Sequence, residues 1–114
     1  MKIRSSSRQA TAWALALLLC GAGTHTALAA DGTTTHTVTI SATSFPTTAL
    51  KVKRGDTVVW INKDPFPHTV TAAGDFDSGS IPAGGSWKHV FTKAGNHAYV
   101  CTFHPNMKGL VSVE

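Results

Sequence analysis

Residues 99–109, Tyr99-Val100-Cys101-Thr102-Phe103-His104-Pro105-Asn106-Met107-Lys108-Gly109, decide how the rest of the chain is read. They hold a thiol, an imidazole and a thioether in the pattern Cys101-x-x-His104-x-x-Met107, and these donors range from soft to borderline, a set suited to copper. Two intervening residues let a tight loop turn all three side chains toward one centre. A trigonal His₂Cys set with a long axial Met needs a second nitrogen. His68 can supply it, because it follows the rigid segment Asp64-Pro65-Phe66-Pro67. Each residue also has a plainer reading: a lone buried Cys is a small hydrophobe, a lone His a hydrogen-bonded or surface residue, a lone Met part of a core. The combination favours a metal site at His68, Cys101, His104 and Met107.

Outward from that loop the chain alternates as strands do. From His36, Val38, Ile40 and Ala42 share one side and Thr37, Thr39 and Ser41 the other. Leu50 and Val52 alternate with Lys51 and Lys53. After the Arg54-Gly55-Asp56 turn, TVVWIN at residues 57–62 is rich in β-branched and aromatic residues. Two prolines make residues 64–67 irregular, and strand is expected again over residues 68–72. Glycines and Pro82 punctuate residues 73–85, a loop. Residues 86–92 form a strand with Trp87, His89 and Phe91 on one face, residues 93–96 turn, and strands follow over 97–101 and 109–114. No helical period is present. About seven or eight short strands separated by turn signals indicate an all-β chain folded as a β-sandwich.

The first residues have a different character. Lys2, Arg4 and Arg8 precede the apolar run AWALALLLC, and small residues ending in Ala27-Leu28-Ala29 follow. This is the layout of a secretory signal peptide, expected to occupy residues 1–29 and to be cleaved after Ala29. The apolar run falls short of the roughly 20 residues a spanning helix needs. Leu19 ahead of Cys20 argues against lipidation, and no Arg-Arg pair marks a twin-arginine route. A single domain then occupies residues 30–114, with no membrane span in the mature form.

Removing the signal changes the composition. The chain has 10 Lys and Arg against 6 Asp and Glu; three of the basic residues lie in the signal, leaving seven against six. A nearly neutral chain gives no case for nucleic acid as a partner. Cys101 becomes the only Cys and Met107 the only Met. A lone thiol in an exported chain points to pairing, reactivity or metal.

These residues resemble those of the plastocyanin/azurin-type cupredoxins, and most of all the amicyanin group. The resemblance runs from about Phe45 to Glu114. It rests on Val52-Lys53-Arg54-Gly55-Asp56-Thr57-Val58, on Trp60-Ile61-Asn62 with Pro67-His68-Thr69-Val70, on Lys93-Ala94-Gly95 and on residues 99–109, the most specific of the four. It implies a two-sheet Greek-key sandwich with one copper ion at one end, cycling between Cu(I) and Cu(II), and a His104 ring edge at the surface as the electron port. It departs at Thr69, where the group usually has Asn, and at Phe103, where many members have Pro. His89 and His97 are expected to be structural or partly exposed, with a second metal site as the alternative, and His36 is expected at the surface.

The function expected is one-electron transfer in the periplasm by a monomer. A redox partner, a cytochrome c or a periplasmic dehydrogenase, would dock near His104 on an apolar rim of Phe66, Pro67, Phe103, Pro105 and Met107. The alternative is copper binding for storage, delivery or tolerance, which suits several exposed Met or His ligands. An enzyme resembling a copper nitrite reductase needs a second copper centre, for which about 85 residues leave no room. The expectation is therefore a carrier and not an enzyme. One further expectation concerns Phe103: unlike proline it has an N–H, which can donate to the Cys101 sulfur.

Overall fold

The computed structural model describes Gly23 and residues 32–114. Apart from Gly23, the expected signal peptide lies outside them. Among the described residues eight strands follow one another: β1 Thr35–Ile40, β2 Leu50–Val52, β3 Thr57–Asn62, β4 Thr71–Ala72, β5 Phe76–Asp77, β6 Ser86–Val90, β7 Gly95–Val100 and β8 Lys108–Val113. They form two sheets, one in the order β1-β3-β6 and the other in the order β2-β8-β7-β4-β5. Both are mixed. The pairs β1/β3 and β2/β8 are parallel, and β3/β6, β4/β5, β4/β7 and β7/β8 are antiparallel. Among the described residues no helix is long and apolar enough to cross a membrane.

Alternation explains how the sheets face each other. β3 buries Val58, Trp60 and Asn62 and leaves the residues between them half-buried. Val38 and Ile40 of β1 point the same way, and Val52, Tyr99, Val111 and Val113 answer from the second sheet. Trp60, fully buried, stands at the centre, with the rings of Tyr99 and Trp87 at 5.4 Å and 5.5 Å and that of Phe76 at 6.2 Å. Burying one such side chain contributes about 1.5–3 kcal/mol, so a two-layer core closes around these rings.

Several local expectations change. Ala42 does not continue the inner face of β1. Residues 41–44 form a tight turn closed by Ser44 N–H donating to Ser41 O at 3.0 Å, with Ala42 and Thr43 at φ +51° and +54°. The strand expected over residues 68–72 shrinks to β4, because His68 is engaged by Ile81 in an isolated bridge with bonds of 3.1 Å and 2.7 Å. The stretch expected as loop contains β5, two residues long and therefore without any alternation to detect. His36 is not a free surface residue: its Nε2 lies 2.9 Å from Oδ2 of Asp56. Asp56 also accepts the N–H groups of Thr34 and Lys53, and these bonds and His36 hold its carboxyl down at about 2.

Candidate metal centre

Two connections meet at one end of the sandwich. The chain leaving β3 runs through residues 63–70, and the β7–β8 loop runs through residues 101–107. The loop is closed by backbone bonds from Cys101 N to Met107 O (3.1 Å), from His104 N to Cys101 O (3.2 Å) and from Met107 N to His104 O (2.8 Å). This is what the spacing of two residues between donors permits. The loop folds back on itself, and its first and last donors are tied by their own backbones.

The structure brings His68, Cys101 and His104 together, with their ligand atoms all within 4.8 Å of one another. Sγ of Cys101 lies 3.7 Å from Nδ1 of His68 and 3.8 Å from Nδ1 of His104. His68 and Cys101 are fully buried, while His104 is partly exposed. Met107 is buried at the foot of the loop, so it does not belong to the exposed rim. Phe66 and Phe103 do, at 38% and 52% exposure, together with Pro67 and Pro105.

The sulfur is prepared as a thiolate. Burial pushes the Cys101 thiol up, but the Thr69 N–H first, then the His104 ring and the Phe103 N–H, outweigh it and hold the thiol below its ordinary value. The thiolate is the form that binds metal. Thr69 N donates to Sγ at 3.3 Å. The Phe103 N–H has the smallest influence of these and makes no full hydrogen bond to the sulfur, so the expected second donor is the weaker. Thr69 does more than its backbone suggests, since its Oγ1 accepts Thr102 N–H at 2.8 Å and lies 3.1 Å from Thr102 Oγ1. The Thr69 side chain, noted as a departure from the resembled group, thus ties the His68 segment to the Cys101–Met107 loop.

A further residue was not singled out by the sequence. Asp64, four positions before His68, places Oδ2 2.7 Å from His68 Nε2 and accepts the N–H groups of Ala42 at 2.8 Å and Thr43 at 2.9 Å. Burial would raise its carboxyl, but Thr43, His68 and Ala42 prevail and hold it below its ordinary value. The only available signal was a carboxylate enclosed between Asn62 and two prolines, which looks the same as a solvated loop acid.

His89 and His97 do not join the cluster. Nδ1 of His97 bonds Asp75 and Nε2 lies 2.9 Å from Lys93 O, so both nitrogens are occupied. His89 stacks on Trp87 at 5.5 Å and packs against Phe76 and Phe91. Both are partly buried and engaged by neighbours within the domain.

Comparison with known proteins decides the family. Residues 9–113 match the model of the cupredoxin-like domain. The chain is a cupredoxin. This cupredoxin is 40% identical over 83 residues to an amicyanin from Paracoccus denitrificans, a match covering 68% of the chain and 63% of that protein. A Cu(I) structure of an amicyanin variant superposes with a TM-score of 0.65 at 36% identity, covering 70% of this chain and 82% of the other. A copper-containing nitrite reductase from Thermus scotoductus SA-01 gives a TM-score of 0.64 at 28% identity, covering 69% of this chain but 22% of the reductase. The cupredoxin fold therefore also occurs as one part of a much larger enzyme. The donor set in this cupredoxin, one thiol and two imidazoles brought together with a buried methionine on the same loop, fits a single copper ion.

Proposed function

We propose that this cupredoxin is a one-electron carrier of the periplasm, exported by a signal at residues 1–29, with His68, Cys101, His104 and Met107 holding copper. Bound copper supplies reversible Cu(I)/Cu(II) chemistry. The observation that carries the reading is the convergence of two Nδ1 atoms on one buried sulfur that already accepts an N–H from Thr69. Donors held this close by a tight loop and a rigid segment leave little to rearrange when an electron moves. The chain's own residues divide the remaining work. His68 and Cys101 are sealed from water, whereas His104 reaches the surface among Phe66, Phe103, Pro67 and Pro105. An exposed apolar rim suits the brief docking of a redox partner, and interfaces of this kind are small. A cytochrome c or a periplasmic dehydrogenase is the partner proposed, meeting a monomer.

The test is the copper-loaded mature protein. One Cu(II) per chain should give an intense visible thiolate band that bleaches with reductant and returns with oxidant, and Cys101→Ser should abolish the band while the sandwich stays folded. Copper bound without a reversible band would favour storage or delivery instead.

A further inference from the structure

Asp64 is 8% exposed and sits among groups that leave it no freedom. Its own N–H donates to Asn62 Oδ1 at 3.0 Å. Asn62, fully buried, donates in turn to Phe66 O at 2.8 Å and Ile81 O at 3.0 Å, which fixes both sides of the segment leading to His68. The carboxylate then receives Ala42 N–H on Oδ1 and Thr43 N–H on Oδ2. Backbone N–H groups can only donate, and a carboxylate can only accept. Oδ2 is also the atom 2.7 Å from His68 Nε2, so the proton in that contact belongs to the imidazole. A neutral imidazole carries a single N–H. With the proton on Nε2, Nδ1 is left with a bare lone pair, and Nδ1 is the atom facing the Cys101 sulfur.

The turn that grips Asp64 is built from unfavourable residues. Two successive positive φ angles, at Ala42 and Thr43, are the signature of a turn that normally takes Asn-Gly or Gly-Gly. A β-branched Thr in the left-handed region is a genuine outlier. Strain of this kind persists only where the surroundings over-determine it, and it clusters at functional sites. Here the determining group is Asp64, which takes both amides of the turn.

We propose that Asp64 is a positioning residue of the metal centre: gripped by the Ala42–Thr43 turn, it selects the His68 tautomer that presents Nδ1 to the metal. The proposal rests on the assignment of His68 as a ligand. It makes the β1–β2 connection part of the copper site, although none of its side chains is in the ligand set. A carboxylate behind a ligating imidazole also raises its basicity, and losing such a partner typically lowers metal affinity by 10–100-fold.

The experiment starts without copper. Long-range ¹⁵N–¹H correlation on histidine-labelled, copper-free protein, at about pH 8.5 where an ordinary histidine is neutral, should show His68 as a single Nε2–H tautomer. Asp64→Asn should give a mixed or Nδ1–H tautomer, and chelator competition should show Cu(II) affinity reduced by about 10–100-fold. Asp64→Glu should recover part of both. An Nδ1–H tautomer in the wild-type protein would overturn the proposal, and so would an unchanged tautomer and affinity in Asp64→Asn. The wild-type spectrum keeps the test decisive if the variants fail to fold. Because that spectrum needs no metal, a missing blue band would count against the carrier function alone.

Discussion

The ring of Tyr99 fills the space that a side chain at Gly109 would need. The two residues are register partners across β7 and β8, and a Cβ on Gly109 would come within 2.6 Å of Tyr99 Cε2 and closer still to Cζ and the hydroxyl. Tyr99 cannot swing away, since it is buried edge-on against Phe45 at 4.8 Å and Trp60 at 5.4 Å. Gly109→Ala should therefore destabilise the domain by about 1–3 kcal/mol, the usual range for overpacking. For a domain of this size that is a fall in Tm of roughly 4–8 °C per kcal/mol. Calorimetry of the copper-free protein checks it. Unchanged stability would mean that the two strands part easily just after the ligand loop.

Thr69 joins the two halves of the candidate metal centre through its hydroxyl, so it can be tested apart from its backbone. Thr69→Val keeps the shape and the N–H to sulfur but removes the acceptor for Thr102 N–H and the contact with Thr71 Oγ1. A lost partner of this kind costs about 1–3 kcal/mol where the group is buried, and less here because Thr102 is exposed. The expected result is a drop in the urea midpoint with the visible band retained, and recovery of most of the loss in Thr69→Ser. A band lost in Thr69→Val and restored in Thr69→Ser would mean that the hydroxyl shapes the metal site itself.

What the sequence reveals and what it hides follows from the range of each interaction. The approach of Cys101 to His104 is legible because their spacing is local and their donors are chemically distinctive. β3 is legible because TVVWIN is rich in β-branched and aromatic residues. Ala42 is misread because alternation continues through it, while the turn that overrides the strand depends on a carboxylate 22 positions away. Asp64 and the Tyr99–Gly109 fit are hidden for the same reason, since each is defined by a partner that only the fold brings near. β5 exists through its pairing with β4, which two residues cannot announce.

His97 and His89 give opposite pH dependences that variants can separate. The hydrogen bond from His97 to Asp75 raises the His97 pKa above its ordinary 6.5, with burial opposing it and the Lys93 carbonyl assisting. A folded pKa above the unfolded value contributes stability that is fully present below about 6.5 and is lost as pH rises through the raised value. Burial lowers the His89 pKa first of all; the charge of Asp75 opposes that shift and the charge of His97 adds to it. Its contribution has the other sign, and stability falls as pH drops below 6.5 because the unfolded chain takes the proton more readily. Urea midpoints of the copper-free protein should show Asp75→Asn losing the alkaline decline and His89→Leu losing part of the acid decline, each relative to wild type. Parallel curves for wild type and Asp75→Asn would mean that the Asp75–His97 bond is no stronger in the folded protein than in water.

Phe103 tests how finely the sulfur is tuned. The Thr69 N–H is the principal donor at 3.3 Å, and the Phe103 N–H ranks last among the groups that favour the thiolate. Each donor withdraws electron density from the sulfur and weakens its donation to Cu(II) more than to Cu(I), so losing one should lower the reduction potential. A net hydrogen bond is worth about 0.5–1.5 kcal/mol. A weaker contact lies below that range, which for one electron is no more than about 20 mV on the scale of 59 mV per tenfold. Phe103→Pro removes the N–H and the ring, and Phe103→Ala removes the ring alone. Because the ring is 52% exposed, neither loss should disturb the core, and both variants should keep the visible band. Voltammetry of the two should place the proline variant below the alanine variant by up to about 20 mV. Equal potentials would assign any shift to the lost ring and leave Thr69 as the donor that tunes the sulfur. A much larger gap would mean that the Phe103 N–H moves onto the sulfur once copper is bound.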